Sequence, residues 1–190
     1  FNVEPGVAVI CQEQTLPNGK EGTGVIGEVY IPRNSNTIAV CQKIIADWGS
    51  HLGYVLVYGD ATGGARKTSQ VIGSDWDLIK EFLTPVFKRN LWFEVPRSNP
   101  SERSRINSMN SRLKNARGEV KLMVDPQRAP HVITDLEGVR LLEGGSGEID
   151  EAYDRTLTHL TDALGYYLHK EFPVHGYIPR GKKFLVHARR

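Results

Sequence analysis

Two acids stand where a chain can place groups for metal chemistry. Asp60 follows the apolar run Tyr54-Val55-Leu56-Val57-Tyr58 and lies within Gly59-Asp60-Ala61-Thr62-Gly63-Gly64. A carboxylate just past the C-terminal end of a strand sits where open α/β sheets bind ligands, and the glycines beside it leave room for a bulky one. Asp162 lies in Thr158-His159-Leu160-Thr161-Asp162-Ala163-Leu164-Gly165-Tyr166-Tyr167. On a helix its neighbours there are small or apolar, so a carboxylate among them needs a partner or a cation. His159 lies three residues earlier on roughly the same face, where it could donate to a phosphate, ligate a metal or only pack. Should the two acids converge, they form a half-open oxygen site of the kind that holds Mg²⁺ or Mn²⁺ for phosphodiester chemistry. Taken singly, Asp60 also reads as a turn residue and Asp162 as a solvent-facing helix acid.

Other motifs carry less. Gly59 to Thr68 superficially resembles a phosphate loop, but such a loop needs Lys directly after its last Gly, and here Ala65 and Arg66 intervene before Lys67. Gly144-Gly145-Ser146-Gly147 follows a helical pattern instead of a strand, which argues against a dinucleotide site. The six histidines show no zinc spacing. Cys11 and Cys41 give no disulfide framework and are expected as buried thiols in a reducing compartment.

Charge is uneven along the chain although the net value is only +2. From Lys88 to Lys121 there are nine basic residues against three acids. From His131 to Glu171 nine acids face Arg140, Arg155 and Lys170, and the end of the chain carries Arg180, Lys182, Lys183, Arg189 and Arg190. A basic stretch beside an acidic metal segment suits a polyanion, and a solvated face with a basic tail reads equally well from composition. Arg97, Arg103, Arg105, Arg112, Lys114 and Arg117 are the candidates for contacting DNA phosphates. Phosphate contacts carry no base information, so little sequence preference is expected.

The elements that must position these groups can be read coarsely. With 190 residues and 39% hydrophobic content the chain suits one globular domain over residues 1–172, followed by a basic tail over 173–190. No apolar run approaches the roughly 20 residues a membrane crossing needs, and Phe1 opens directly on an extended segment without a signal-peptide pattern. Val3 to Gln14 and Val25 to Ile31 alternate as strands of a hairpin. Ile38 to Trp48 repeats at helical spacing, Tyr54 to Tyr58 reads as a short strand buried on both faces, and Ser74 caps a second helix. Leu91 to Val95 is a strand, Asn99-Pro100-Ser101-Glu102 starts a polar helix running to about Asn115, and Val120 to Val124 is a further extended piece. Pro130 to Leu141 and Thr156 to Glu171 are the last two helices. This order predicts an α/β sandwich with a mixed central sheet, its early strands antiparallel and its later ones parallel, flanked by helices.

Three segments, Phe1-Asn2-Val3-Glu4-Pro5, Tyr58-Gly59-Asp60-Ala61-Thr62-Gly63 and Thr158-His159-Leu160-Thr161-Asp162-Ala163-Leu164-Gly165-Tyr166, resemble markers of one family. They are similar to the nuclease domain of tailed-bacteriophage large terminase subunits, and the likeness spans almost the whole chain. The resemblance implies a ribonuclease H-like fold with an acid cluster that binds two divalent metal ions, Mg²⁺ or Mn²⁺. It implies an endonuclease that cuts double-stranded viral DNA during headful packaging, with Asp60 and Asp162 as metal ligands and His159 as their neighbour. It further implies an ATPase domain in the parent chain, the portal protein and small terminase subunit as partners, and the host cytoplasm as the compartment of a viral or prophage-encoded protein. The family's first acid immediately precedes a Phe-Asn pair like Phe1-Asn2, and this sequence starts at Phe1. A ribonuclease H-like module that docks DNA or a portal protein without cutting is the alternative expectation.

Overall fold

The computed structural model describes residues 5–64, 74–140, 142, 150, 153–154 and 157–174. Strand β1 (Gly6–Thr15) and strand β2 (Glu21–Ile31) pair antiparallel, as the alternation predicts. Their turn closes through Gly19 N–H to Leu16 O at 2.8 Å and Leu16 N–H to Lys20 O at 2.9 Å, with Gly19 at φ +76°, a conformation only glycine takes readily. Ile10 pairs with Gly27 and Cys11 with Val25, so Ile26 is an extra residue and β2 carries a bulge. A one-residue insertion exchanges the faces of a strand. The exchange has a visible use: Glu28 and Tyr30 beyond the bulge reach His131 on the same side that Val25 packs.

Helix α1 (Thr37–Trp48) starts at Asn36, whose side chain accepts from Ala39 N–H at 2.8 Å. Strand β3 (Val55–Val57) follows, then a 3₁₀ turn (Ala61–Gly64) and helix α2 (Asp75–Phe87), which opens on a Ser74–Asp77 capping box. Strand β4 (Leu91–Phe93) runs parallel to β3, pairing Val55 with Leu91, Leu56 with Trp92 and Val57 with Phe93. Helix α3 (Glu102–Leu113), strand β5 (Leu122–Val124), helix α4 (Pro130–Gly138) and helix α5 (His159–Glu171) complete the described elements.

The fold is α/β with mixed strand directions and flanking helices, as expected. Its strand grouping differs from the expectation of one sheet. Among the described residues β1, β2 and β5 form one sheet, with β5 parallel to β2, while β3 and β4 form a separate pair. The expectation for β3 is also corrected: Val55 and Val57 pack with Cys41, Leu83 and Phe87 of α1 and α2, but Leu56 and its partner Trp92 stay about half exposed. An uninterrupted apolar run does not by itself reveal that only one face is covered. The larger core lies on the other side. There Val25, Leu122, Met109, Val132, Leu160, Leu164 and Leu168 gather α3, α4 and α5 against the three-stranded sheet. Among the described residues no helix is long and apolar enough to cross a membrane. Cys41 is buried, and burial pushes its thiol up to about 11; both cysteines are free thiols.

Both C-terminal helices borrow their N-terminal caps from elsewhere. Glu28 accepts from His131 N–H at 3.1 Å, from Val132 N–H at 2.9 Å, and contacts the His131 ring at 2.5 Å. Asp135 on α4 does the same for α5, accepting from Leu160 N–H at 2.9 Å and Thr161 N–H at 3.2 Å. A carboxylate at a helix start satisfies orphan amides and complements the dipole. Glu28→Ala is therefore expected to cost about 2 kcal/mol, the upper end of a lost cap, in urea unfolding. An unchanged urea midpoint would mean that water satisfies these amides equally well.

Candidate active site

Asp60 sits three residues past the end of β3, in a loop fixed from three sides. Thr62 donates to its carboxylate twice, from N–H to Oδ1 at 2.6 Å and from Oγ1 to Oδ2 at 2.7 Å. Asn99 Nδ2 donates to Oδ1 at 2.6 Å, while Asn99 Oδ1 accepts from Ala61 N–H at 2.8 Å. Trp76 of α2 donates its indole N–H to the Asp60 carbonyl at 2.9 Å. Gly59 makes room for that ring, since a Cβ there would meet Trp76 at 2.8 Å. Partial burial pushes the Asp60 carboxyl up, but the Thr62 and Asn99 donors outweigh it and hold the group below the ordinary carboxylate range. Asp60 is thus ionised and aimed before any ligand arrives. Asn99 was not among the expected site residues; in sequence it looks like the lead-in to the Ser101 cap of α3.

Asp162 lies in the first turn of α5, its backbone N–H donating to Thr158 O at 2.7 Å. Thr158, at φ +87°, holds a conformation rare for a β-branched residue. The Asp162 carboxylate is partly open and pairs with Arg105 of α3, Nη1 to Oδ1 at 2.7 Å. The Arg105 side chain is only 11% exposed and its guanidinium lies 4.6 Å from the centre of the Tyr166 ring. Gly165 permits this approach of α3 to α5, because a Cβ there would stand 3.2 Å from the Arg105 Cβ. Arg105, Ile106, Met109, Thr161, Asp162 and Gly165 line a small cleft of about 10 Å³ between the two helices, room for about one water.

Tyr166 links the two acids. Burial raises the pKa of its phenol; Arg105 lowers it, and the charges of Asp60 and Asp162 both raise it. Two motifs about 100 residues apart in sequence therefore act on one hydroxyl. His159, the first residue of α5, acts electrostatically on Asp135, the buried acid that caps this helix. Burial raises the Asp135 carboxyl above its ordinary range, and the His159 charge and the amides it accepts only partly offset this.

Among the expected phosphate contacts, Arg97, Arg103, Lys114 and Arg117 are exposed. Arg105 and Arg112 are not: each side chain is 11% exposed and committed within the fold. Arg112 Nη2 donates to Thr23 Oγ1 at 2.9 Å and to Glu13 Oε2 at 3.3 Å, and its guanidinium carbon lies 3.7 Å from the Phe172 ring centre. Tyr167 donates to Glu13 Oε1 at 2.5 Å, and Thr23 Oγ1 donates to the same oxygen. This closed network ties α3 and α5 to β1 and β2, so Arg112 leaves the set of solvent-facing cations. The tail cations from Arg180 onward lie outside the described residues, as does the Phe1-Asn2 marker.

The carboxylates of Asp60, with Asn99 beside it, and of Asp162 are hard oxygen donors, of the kind suited to Mg²⁺ or Mn²⁺ and not to zinc. Among the described residues, no cluster of three His, Cys, Asp or Glu side chains is placed to hold an ion. The chain matches no family model, no curated protein and no solved structure.

Proposed function

We propose that this chain is a ribonuclease H-like nuclease domain of the phage large-terminase type, cutting double-stranded DNA with little sequence preference during genome packaging. The observation that carries the reading is that the β3 tip and α5 meet: Tyr58 donates to Glu171 at 2.9 Å and packs edge-on against Tyr167, and the charges of Asp60 and Asp162 both bear on Tyr166. Asp60 and Asp162 would hold the divalent metals, with a further acid before Phe1 contributing the third carboxylate. When bound, such ions lower the pKa of a water and stabilise the leaving 3′ oxygen. The chain's own part is positional. Thr62 and Asn99 keep Asp60 ionised and oriented, and Asp135 fixes the first turn that presents Asp162. Portal protein, small terminase subunit, an ATPase domain in the parent chain and the host cytoplasm belong to the same proposal.

The test is conversion of supercoiled plasmid to open circle by protein carrying an Asp immediately before Phe1, in Mn²⁺ and in EDTA. Absence of Mn²⁺-dependent nicking would overturn the nuclease reading. One observation favours the second reading, a docking module without cleavage: Asp162 is already neutralised by Arg105. On that reading DNA binding persists and cutting does not.

The exposed cations suggest where DNA lies. Arg97 is two residues from Asn99, and Arg103 is two residues from Arg105, so each stands beside a partner of one acid. Lys114 lies nine residues beyond Arg105 along α3, roughly 14 Å away at the helical rise. Replacing Arg97 and Arg103 together by Ala is expected to weaken binding alike for every sequence. The slope of log affinity against log salt should flatten by about 1.8, at 0.9 per lost phosphate contact. Deletion from Arg180 onward is the matched control. If the deletion flattens the slope and the pair does not, the tail grips the DNA.

A further inference from the structure

Four of the seven large apolar side chains that stay exposed among the described residues belong to the β3–β4 pair and its lead-in. Leu56 and Trp92 are paired neighbours on one face, and Leu52 and Tyr54 precede Leu56 at two-residue spacing. The opposite face is filled, since Val55, Val57 and Leu91 pack with α1 and α2. The bare face is closed at one end only. Tyr58 and Glu94 stand two residues beyond Leu56 and Trp92. There Tyr58 donates to Glu171 at 2.9 Å and meets Tyr167 edge-on, and Lys170 pairs with Glu94 at 3.3 Å. The last turn of α5 therefore covers the Tyr58–Glu94 end, and the apolar surface runs on uncovered from it.

The chain continues from the same place. Residues 175–190 follow Val174 and carry two apolar groups, Tyr177-Ile178 and Phe184-Leu185-Val186. From Tyr58, where Glu171 is held, the face extends about 7 Å to Leu56 and about 13 Å to Tyr54, at roughly 3.3 Å per strand residue. At the same rise the chain from Glu171 can span about 20 Å by Tyr177 and about 40 Å by Phe184. A second copy of the protein is a poorer occupant. Four side chains offer less than the roughly 800 Å² per partner of a stable dimer, whereas a tethered segment binds at high effective concentration.

We propose that residues 175–190 fold back over this face, their two apolar groups covering Leu56 and Trp92, so that the domain and its basic tail form one unit. The proposal is independent of the nuclease reading. Its test uses the full chain, as an equal mixture of isotope-labelled and unlabelled protein, so that NOE spectra separate contacts within a chain from contacts between chains. The Trp92 ring is expected to show intrachain NOEs to side chains of residues 177–186. Replacing Tyr177, Ile178, Phe184, Leu185 and Val186 together by Ser should abolish them and should increase relaxation of the Trp92 indole N–H by a soluble gadolinium chelate. The Trp76 indole N–H, which donates to the Asp60 carbonyl, should not change and reports an intact fold. Lys182→Gln with Lys183→Gln should leave Trp92 as in wild type. Absence of intrachain NOEs from Trp92 to residues 175–190 overturns the proposal, and NOEs seen only between chains overturn it in favour of a second copy.

Discussion

Asp60→Asn and Asp162→Asn, each in protein carrying an Asp immediately before Phe1, are expected to reduce Mn²⁺-dependent plasmid nicking at least about 100-fold, since even residues that only support metal ligands cost 10- to 100-fold. Two dications a few ångström apart repel one another strongly, and carboxylates offset that repulsion. Neutralising either acid removes a charge while barely changing volume. The two variants should differ in stability. Asn at position 60 can still accept from Thr62 and stay beside Asn99, so the loop should survive. Asn at position 162 leaves Arg105 with a neutral partner in a side chain that is 11% exposed, which should cost about 1 kcal/mol. Thermal unfolding beside the nicking assay separates lost chemistry from lost fold. Cutting undiminished in either variant would locate the metals elsewhere. His159→Ala should lower cutting far less, because the charge of His159 bears on the cap Asp135.

What could be read from the sequence was local. Ser74 announces its helix because a short polar side chain before an apolar repeat has one good use, and it caps as expected; the caps Asn36 and Ser101 fall within stretches that read only as polar helix starts. The β1–β2 alternation gives the hairpin, and the short run before Asp60 gives the strand that presents it. What escaped was pairing across the chain. Arg105 meets Asp162 from 57 residues away, Arg112 meets Glu13 from 99, and Glu28 caps α4 from 103. No periodicity records such partnerships. Helix α3 is the clearest case: its composition is polar, so its arginines looked like a solvated basic face, yet Ser108, Met109 and Arg112 are buried. The Ile26 bulge was invisible for a related reason: the residues on either side of it are all compatible with a strand.

Arg112→Ala should therefore act on stability and leave DNA binding in place. Its guanidinium donates to Thr23, a residue with no exposure, and to Glu13, and it covers the face of Phe172 at 3.7 Å. Truncation removes the donor to the Thr23 hydroxyl, which keeps its bond to Glu13, breaks the link between α3 and the hairpin, and leaves a void beside Phe172. A loss of about 3 kcal/mol follows from the cost of removing one partner of a buried charged group. For a chain of 190 residues that corresponds to a melting midpoint roughly 10 °C lower. Arg112→Lys should recover only part of it, because an ammonium cannot make two directed bonds and also lie flat on a ring. Arg103→Ala, at an exposed position on the same helix, should stay within about 0.5 kcal/mol of wild type. The salt slope of DNA binding decides between the two roles for Arg112. It should be unchanged in Arg112→Ala; a slope flatter by about 0.9 would mean that this side chain leaves its network to meet a phosphate.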